Sequence, residues 1–237
     1  MGDVGRPLRR IGVVTGLGFE AACLRRALSD EADVRIACVG GDYKRAYRAA
    51  MKFAEGGCDL LVSFGFAGGL DPGLKAGDIV LSGSVVAPTG QRLEAAGGPT
   101  QRLAEAAERG GVLLSRGTVL GVQDPVALSK DKLALHERFA AMAVDMESLG
   151  VAEAASFTAR PFLCLRVIID AAGRDVPPAA VAAMGPTGRL RPLALLGSLM
   201  RTPSQLPDLL RLAGDAAVAR RSLRRAAQTL GAAFRAP

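Results

Sequence analysis

Residues 144–170, VDMESLGVAEAASFTARPFLCLRVIID, predict the end of one strand, a helix that begins at Ser148, and a second strand over 161–169. The second strand is a nearly continuous apolar run, which is typical of a strand buried on both faces. Asp170 follows its last residue, and Glu147 follows the end of the preceding strand. Open α/β sheets bind ligands beyond the carboxyl ends of their strands, so we expect both carboxylates at one edge of the sheet, in an active site.

The rest of the chain alternates apolar runs with helical patterns and short glycine-rich turns. This alternation predicts an α/β fold, a three-layer α/β/α sandwich with a central mixed, mostly parallel sheet. At 237 residues, the chain is expected to form one domain over 1–237. Residues 174–204 are rich in proline and are predicted to be an inserted loop with a short apolar helix at 191–201, RPLALLGSLMR. A C-terminal helix is predicted over 205–231, where Leu and Ala recur at helical spacing.

The net charge of +7 is concentrated near the C-terminus. Residues 174–237 contain ten Arg and three Asp, whereas acidic and basic side chains balance over 1–173. The Arg residues alternate with Leu and Ala, and Phe234 is the single aromatic residue of this tail. Nucleic-acid binding is therefore disfavoured for lack of a stacking platform, and an amphipathic surface is favoured.

The four cysteines show no CxxC spacing and all lie in apolar segments. We therefore expect neither a metal site nor a disulfide framework, and a reducing cytosol as the setting. The basic N-terminus is not followed by the apolar region of a signal peptide, and no apolar run approaches the roughly 18 residues of a membrane span. The predicted localisation is cytoplasmic.

Two glycine-rich turns follow predicted strands. GLGFEA at 16–21 matches the GxGxxA dinucleotide fingerprint. A dinucleotide site also needs an acidic residue at the end of the second strand, and the only candidate, Asp42, comes after two further glycines, which disfavours such a site. Glu20 in this turn is either a functional carboxylate at the sheet edge or a surface residue that complements the helix dipole. FGFAGG at 64–69 either lets a ligand approach the backbone closely or forms a tight turn.

The acidic residues of the central stretch also have alternative roles. Glu147 is compatible with a helix-start carboxylate, and Asp170 with a helix cap or an ion pair. A carboxylic acid in a partly apolar pocket has a raised pKa, which makes it a usable general acid near neutral pH. The single histidine, His136, is expected to be packed or solvated. The predicted chemistry therefore relies on carboxylates.

Four stretches together resemble the nucleoside phosphorylase/nucleosidase superfamily, especially its methylthioadenosine/S-adenosylhomocysteine nucleosidase branch. They are IGVVTGLGFEAACL, FGFAGGLDPGLKAGDIV, VDMES and RVIID, in the family's order between residues 11 and 170. The resemblance implies the superfamily's fold and cleavage of the N-glycosidic bond of a purine nucleoside.

The resemblance implies a role for each matching position. Asp170 resembles the acid that protonates N7 of the purine, and Glu20 the carboxylate that orients and activates the attacking water. Glu147 resembles the residue that binds the ribose hydroxyls, and Met146 the residue that packs on the sugar. Such a division of labour suits an oxocarbenium-like transition state, which needs negative charge near the sugar and an acid at the departing base.

Further substrate contacts follow from the same resemblance. VQDPVAL matches the family's base-binding loop, which places Val126 and Ala127 near the purine. Gly65 and Phe66 belong to the turn beside the sugar. Phe66 stands where the family usually has a small polar residue, which implies a more apolar pocket and an unusual 5′ substituent.

Two other departures concern the acid and the phosphate site. Ile169 precedes Asp170 where the family has serine, so a hydroxyl that would help to hold the carboxylate is absent. The conventional phosphorylases place an arginine before the glycine turn, where this chain has Ser63. Lys44 and Arg45 at the start of the second helix are candidate replacements for a phosphate site, or simply a solvated helix start. No metal or organic cofactor is implied, and hydrolysis and phosphorolysis, with inorganic phosphate as co-substrate, both remain open.

The insertion at 174–204 and the basic tail resemble the hopanoid-biosynthesis-associated phosphorylase subgroup. This resemblance implies release of adenine from adenosylhopane, a lipid-linked adenine nucleoside, with peripheral contact at the inner face of the membrane. Basic residues near anionic lipid contribute about 1 kcal/mol each. The inserted helix is equally compatible with a dimer interface or a core cover. Relatives imply a homo-oligomer, with a dimer favoured. The alternatives are a methylthioadenosine/S-adenosylhomocysteine nucleosidase and a non-catalytic membrane-associated nucleoside-binding protein.

Overall fold

The structure is a computed structural model that describes residues 10–28, 33–183 and 202–235. Its strands are β1 (Arg10–Thr15), β2 (Asp33–Cys38), β3 (Leu60–Gly69), β4 (Ile79–Val86), β5 (Arg92–Glu94), β6 (Ser115–Gly121), β7 (Ala141–Asp145) and β8 (Phe162–Asp170). Its helices are α1 (Gly18–Ala27), α2 (Tyr43–Glu55), α3 (Gly97–Arg109), α4 (Ser129–Phe139), α5 (Ser148–Phe157), α6 (Pro178–Ala183) and α7 (Leu206–Arg235). The apolar helix predicted at 191–201 lies outside the described residues.

The eight strands form one mixed sheet. Strands β2, β1, β3 and β8 are parallel neighbours in that order, and β4, β6 and β7 are parallel to one another. The antiparallel pairs are β4 with β8, β4 with β5, and β3 with β7. The predicted α/β fold with a mixed, mostly parallel central sheet is confirmed.

The sheet closes on itself at the end of β3. Gly68 and Gly69 pair with Val144 and Ala143 of β7, while the preceding part of β3 pairs with β8. Strands β3, β8, β4, β6 and β7 therefore form a ring of five, from which β1, β2 and β5 extend. The closure brings the ends of β3, β7 and β8 together, which no local sequence pattern indicates.

Helices cover both faces of the sheet. One hydrophobic cluster joins α2 and α5 to the sheet through small residues such as Ala46, Ala50 and Ala154. The other joins α1, α3 and α7 to the opposite face through larger residues such as Leu24, Leu103 and Leu223. The scarcity of aromatic residues is thus matched by cores of Leu, Val and Ala, as the composition predicts.

The C-terminal helix is longer than predicted, since α7 continues to Arg235. Its predicted apolar stripe is buried in the second half, where Leu223, Ala227 and Leu230 pack into the core. Leu206 and Leu210 in the first half are 47% and 65% exposed, so the stripe extends beyond the core that the described residues form. Within the segment predicted as an inserted loop, residues 178–183 form the short helix α6.

Helices α2 and α5 pack closely because Gly150 has no side chain. A Cβ atom at Gly150 would lie 2.6 Å from the backbone oxygen of Tyr43 and 2.9 Å from the backbone nitrogen of Tyr47. Both are main-chain atoms, which cannot move aside without shifting the helix.

We expect Gly150→Ala to lower the free energy of unfolding by about 1–3 kcal/mol, the usual range for overpacking. Gly214→Ala is the matched control because Gly214 is also inside a helix, α7, but has no atom within 4 Å of the added Cβ. This control should gain about 0.5–1 kcal/mol from helix propensity. Urea denaturation measures both; equal effects at the two glycines would contradict the packing argument.

Candidate active site

Glu20 is buried at the start of α1, with 2% of its surface exposed. Its Oε2 accepts hydrogen bonds from the backbone nitrogens of Gly16 and Leu17, both at 2.8 Å, and its Oε1 accepts one from Phe66 N at 2.8 Å. Burial raises the pKa of Glu20, although these hydrogen bonds and the charge of Arg166 oppose the rise. The surface role considered for Glu20 is thereby excluded, because the carboxylate joins α1 to β3 inside the protein.

Arg166 lies at the centre of the site, fully buried in the middle of β8. Its Nη2 contacts the carboxylate of Asp145, donates to Ser63 Oγ at 2.5 Å, and lies 3.5 Å from Glu147 Oε2. Its Nε and Nη1 are buried and find no hydrogen-bond acceptor among the described residues. A buried guanidinium with unsatisfied donors is costly, so these two N–H groups mark a place for a ligand.

The glycine at position 65 leaves the space into which Arg166 and Glu20 both point. A Cβ atom there would lie 2.7 Å from Glu20 Oε1 and 2.8 Å from Arg166 Nη1. The hydrogen atom of Gly65 is therefore needed for the guanidinium and the carboxylate to approach the strand. The tight turn considered for FGFAGG is wrong, because residues 64–69 belong to β3. Close approach of other groups to the backbone is what the geometry requires at Gly65.

Glu147 shares this cluster and is 6% exposed. Burial, together with the charges of Asp145 and Glu20, raises the pKa of Glu147 to about 8, against the opposing effect of Arg166. A Cβ atom at Gly16 would lie 2.3 Å from Glu147 Oε1. Glu147 thus depends on the glycine-rich turn after β1, the turn that also carries Glu20.

Asp145 contacts Nη2 of Arg166, the same nitrogen that approaches Ser63 and Glu147. Its carboxylate accepts hydrogen bonds from the backbone nitrogen of Ser148, at 3.1 Å to Oδ2, and from the hydroxyl of Ser148. The start of α5 therefore fixes Asp145, and Asp145 fixes Arg166. Met146, between Asp145 and Glu147, lies near the turn after β2, since a Cβ atom at Gly41 would lie 3.9 Å from its Sδ.

Asp170 lies beside Gly68, with its two carboxylate oxygens 3.5 and 3.7 Å from the position of a Cβ atom there. The hydroxyl that Ile169 lacks is replaced by a cation. Lys132 Nζ lies 2.5 Å from Asp170 Oδ2, and the lysine side chain is fully buried. Gly65 and Gly68 are three residues apart on β3, so the Arg166 cluster and Asp170 lie roughly 10 Å apart along one strand.

The predicted base-binding loop is tied to the segment after Asp170. Ala127 O accepts a hydrogen bond from Val176 N at 2.8 Å, and Ser129 N donates to Asp175 Oδ1 at 2.6 Å. Val126 packs against a small apolar cluster that includes Leu120 and Val144. Both predicted base contacts therefore lie on the loop that borders Asp170.

Phe66 contacts the predicted site through its backbone and not through its ring. Its N–H donates to Glu20, while its ring stacks with that of Phe19 at a centroid distance of 6.4 Å. The ring packs against the hydrophobic cluster of α1 and α7. A sugar contact by the side chain of Phe66 stays a prediction, which this packing disfavours.

Lys44 and Arg45 are exposed at the start of α2. Asp42 caps this helix by accepting a hydrogen bond from Arg45 N at 2.9 Å, and its Oδ2 lies 3.7 Å from the side chain of Arg45. A carboxylate therefore already occupies the helix terminus at which an anion was predicted, and this placement disfavours phosphate binding there.

The sequence reasoning missed Arg166 and Lys132. For Arg166 a signal was present, since a charged residue inside an otherwise apolar buried strand must have partners. For Lys132 no comparable signal was present, because SKDKL at the start of α4 has the pattern of an ordinary solvated helix start.

We expect Glu147→Gln to change the pH dependence of stability. The folded pKa of about 8 lies above the ordinary value of 4.5, so the folded protein retains a proton that the unfolded chain releases between these pH values. The contribution of Glu147 to stability is thus complete below about pH 4.5 and is lost as pH rises through about 8.

Urea denaturation at pH 5, 7 and 9 should therefore show Glu147→Gln gaining stability relative to the unmodified protein as pH rises. The control is Glu108→Gln, which changes an exposed carboxylate. A difference that stays constant from pH 5 to pH 9 would show that Glu147 ionises as an ordinary surface residue.

The chain matches a known family in sequence and several solved structures in fold. The model of the Phosphorylase superfamily matches residues 31–199. No curated protein matches the sequence significantly. Among the described residues, no helix combines the length and the apolar character needed to cross a membrane.

Solved structures share the fold at low sequence identity. The 5′-methylthioadenosine/S-adenosylhomocysteine nucleosidase of Helicobacter pylori is 15% identical, with 92% of this chain and 97% of that chain covered and a TM-score of 0.68. The S-adenosylhomocysteine nucleosidase of Streptococcus pyogenes is 17% identical (71% and 86% covered, TM-score 0.66). The futalosine hydrolase of Helicobacter pylori is 18% identical (70% and 89% covered, TM-score 0.64).

These likenesses concern the fold, and the family match concerns the sequence itself. That match extends over more than two thirds of the chain. It confirms the predicted enzyme class, a nucleoside phosphorylase or nucleosidase. The protein belongs to the Phosphorylase superfamily.

Proposed function

We propose that the protein hydrolyses the N-glycosidic bond of an adenine nucleoside. The observation that carries the proposal is the buried cluster of Glu20, Arg166 and Glu147, in which two N–H groups of Arg166 have no acceptor among the described residues. Asp170 is the last residue of β8 and lies beside Gly68, on the same strand β3 that borders the cluster at Gly65. The two sites lie far enough apart along β3 for a purine nucleoside to lie between them.

The cluster around Arg166 is the proposed binding place of the attacking water. A water molecule there accepts a hydrogen bond from Nη1 of Arg166 and donates to Glu20 Oε1, the two atoms that meet beside Gly65. Glu20 takes the water proton as the oxygen approaches the anomeric carbon, since a general base must lie within hydrogen-bond reach. Its raised pKa makes it a stronger base than an ordinary carboxylate.

Asp170 is the proposed acid at the other end. It gives its proton to N7 of the purine as the bond between the anomeric carbon and N9 breaks, so that adenine leaves as a neutral base. Glu147 binds the ribose hydroxyls, and the negative groups of the cluster stabilise the positive charge that develops on the sugar. The proposal requires no metal ion and no organic cofactor.

The charge balance of the cluster favours water over phosphate as the nucleophile. Three acidic side chains, Glu20, Asp145 and Glu147, lie near the single guanidinium of Arg166. Even with Glu147 protonated, which its pKa of about 8 permits at neutral pH, the cluster has more negative than positive charge. A phosphate dianion would be repelled there, whereas a neutral water molecule would not.

The specific substrate that we propose is adenosylhopane, on the resemblance of the insertion and the basic tail to the hopanoid-associated subgroup. Support comes from α7, which presents exposed Arg220, Arg221 and Arg225 as well as the exposed Leu206 and Leu210. Basic and apolar side chains on one helix suit an anionic membrane surface. A small adenine nucleoside such as methylthioadenosine is the second candidate, because two of the similar structures are nucleosidases for such compounds.

Adenine release from adenosylhopane in vesicles and from methylthioadenosine, each with and without inorganic phosphate, tests these assignments. We expect faster release from adenosylhopane, no phosphate requirement, and a free sugar by mass spectrometry. A sugar 1-phosphate product would overturn hydrolysis, and faster turnover of methylthioadenosine would overturn the lipid-linked substrate.

We expect Glu20→Gln and Asp170→Asn each to lower kcat by about 10²–10⁴, the usual contribution of a general base or acid. Binding of the nucleoside, measured by calorimetry, should persist in Asp170→Asn. The double variant Lys44→Ala/Arg45→Ala is the control and should retain the full rate. An unchanged kcat in both carboxylate variants would overturn the roles proposed for Glu20 and Asp170, whereas nucleoside binding without adenine release by the unmodified protein would favour a non-catalytic nucleoside-binding protein.

A further inference from the structure

Lys132 is the second fully buried cation of the described residues, in the first turn of α4. Its Nζ donates to three acceptors: Asp170 Oδ2 at 2.5 Å, Arg174 O at 2.9 Å and Ala171 O at 3.2 Å. A lysine ammonium group has three donors and no acceptor. All three are used here, so the geometry specifies the charged form of the side chain.

Without these contacts, a buried lysine in the first turn of α4 would be unfavourable. Burial removes the hydration of the ammonium group, and the first turn of a helix has a positive potential that repels a cation. The neighbouring Lys130 on the same turn is exposed to solvent, as lysine residues usually are. The contacts of Lys132 with Asp170 and the turn that follows it must therefore offset both costs.

The three contacts have a common geometric effect. The ion pair fixes the position of Oδ2 of Asp170, and the two carbonyl contacts fix the backbone just after it. The residue before Asp170, Ile169, has no hydroxyl that could do this. With Oδ2 held by Lys132, Oδ1 is the oxygen that is left to carry the proton to a base.

We propose that Lys132 is a positioning residue that holds Asp170 for proton transfer and makes it a stronger acid. This inference rests on the proposed function of Asp170 as the acid. As the proton passes from Asp170 to N7 of the base, a carboxylate forms beside the ammonium group, which stabilises it. Lys132 keeps its own three protons throughout, and the bond that breaks is the one between the anomeric carbon and N9.

The charges around Asp170 agree with this role. Burial raises the pKa of Asp170, and Lys132 lowers it through its charge and its hydrogen bond. Asp215 on α7 opposes Lys132, although Asp215 is paired with Arg174 at 2.9 Å. Lys132 is the cation in direct contact with the carboxylate.

Three further charged residues line the cavity of about 360 Å³ that borders Asp170. Asp208 and Arg211 pair with each other at 3.2 Å, and Asp175 accepts a hydrogen bond from Ser129 N. Lys132 also lowers the pKa of Asp175 through its charge. Variants at position 132 remove this charge and leave the three residues themselves in place.

The kinetic test compares Lys132→Met with the control Lys130→Met, on the adenine nucleoside that the enzyme cleaves. Because the acid must be protonated, the rate falls as pH rises through the pKa of Asp170. We expect Lys132→Met to lower kcat by about tenfold or more and to move the alkaline limb of the pH–rate profile upward by about one pH unit or more. Lys130→Met should leave rate and profile unchanged.

A double-variant cycle separates positioning from general stability. If Lys132 acts through Asp170, adding Lys132→Met to Asp170→Asn should lower the remaining rate by less than about threefold. This double variant also removes both buried charges, so it should be more stable than Lys132→Met alone. A loss in the single variant without a shift of the pH limb, or an additive loss in the double variant, would overturn the proposal.

A carbon-13 NMR titration of aspartate side chains tests the same point without activity. The resonance of Asp170 is identified by its loss in Asp170→Asn, and its pKa should be higher in Lys132→Met and in Lys132→Gln than in the unmodified protein. An unchanged pKa would overturn the inference. If the unmodified enzyme releases no adenine from any nucleoside, the proposed function fails, and this titration still decides whether Lys132 lowers the pKa of Asp170.

Discussion

The buried guanidinium of Arg166 is the constraint on which the rest of the site depends. A charge in the middle of a strand covered on both faces is stable only if neighbouring groups are arranged to receive it. Asp145 comes from the end of β7, Ser63 from β3, and Glu147 from the residues before α5. Each belongs to a different part of the chain, so the fold must bring these parts together before Arg166 can be buried.

The closure of the sheet provides this convergence. Strand β3 is long enough to pair with β8 along most of its length and with β7 at its tip. Two glycines on β3 leave room for the side chains of the site. Gly65 leaves room for Arg166 and Glu20, and Gly68 leaves room for Asp170. The glycines of β3 are therefore a requirement of the polar site.

Sequence patterns were sufficient for the fold class and for the places of Glu147 and Asp170 at strand ends, but not for Asp145 or the two buried cations. Glu147 and Asp170 were predictable because they follow strands directly, and strand ends define the edge where α/β proteins bind ligands. The pairing of Lys132 with Asp170 joins residues 38 positions apart across a loop, and only the packing of α4 creates it. Phe66 shows the opposite limit, since its backbone contacts Glu20 while its ring packs with Phe19, away from the predicted sugar contact.

The two buried cations give the two ends of the site opposite chemical characters. At Arg166, acidic side chains outnumber the cation, so one of them retains a proton near neutral pH and the group as a whole has high proton affinity. At Lys132, one ammonium group faces one carboxylate, which lowers the proton affinity of that carboxylate relative to burial alone. Burial raises the pKa of the carboxyl groups at both ends, and the cation beside each group opposes that rise. The proposed roles of base and acid therefore follow from position, since Glu20 faces the space beside Gly65 and Asp170 borders the predicted base-binding loop.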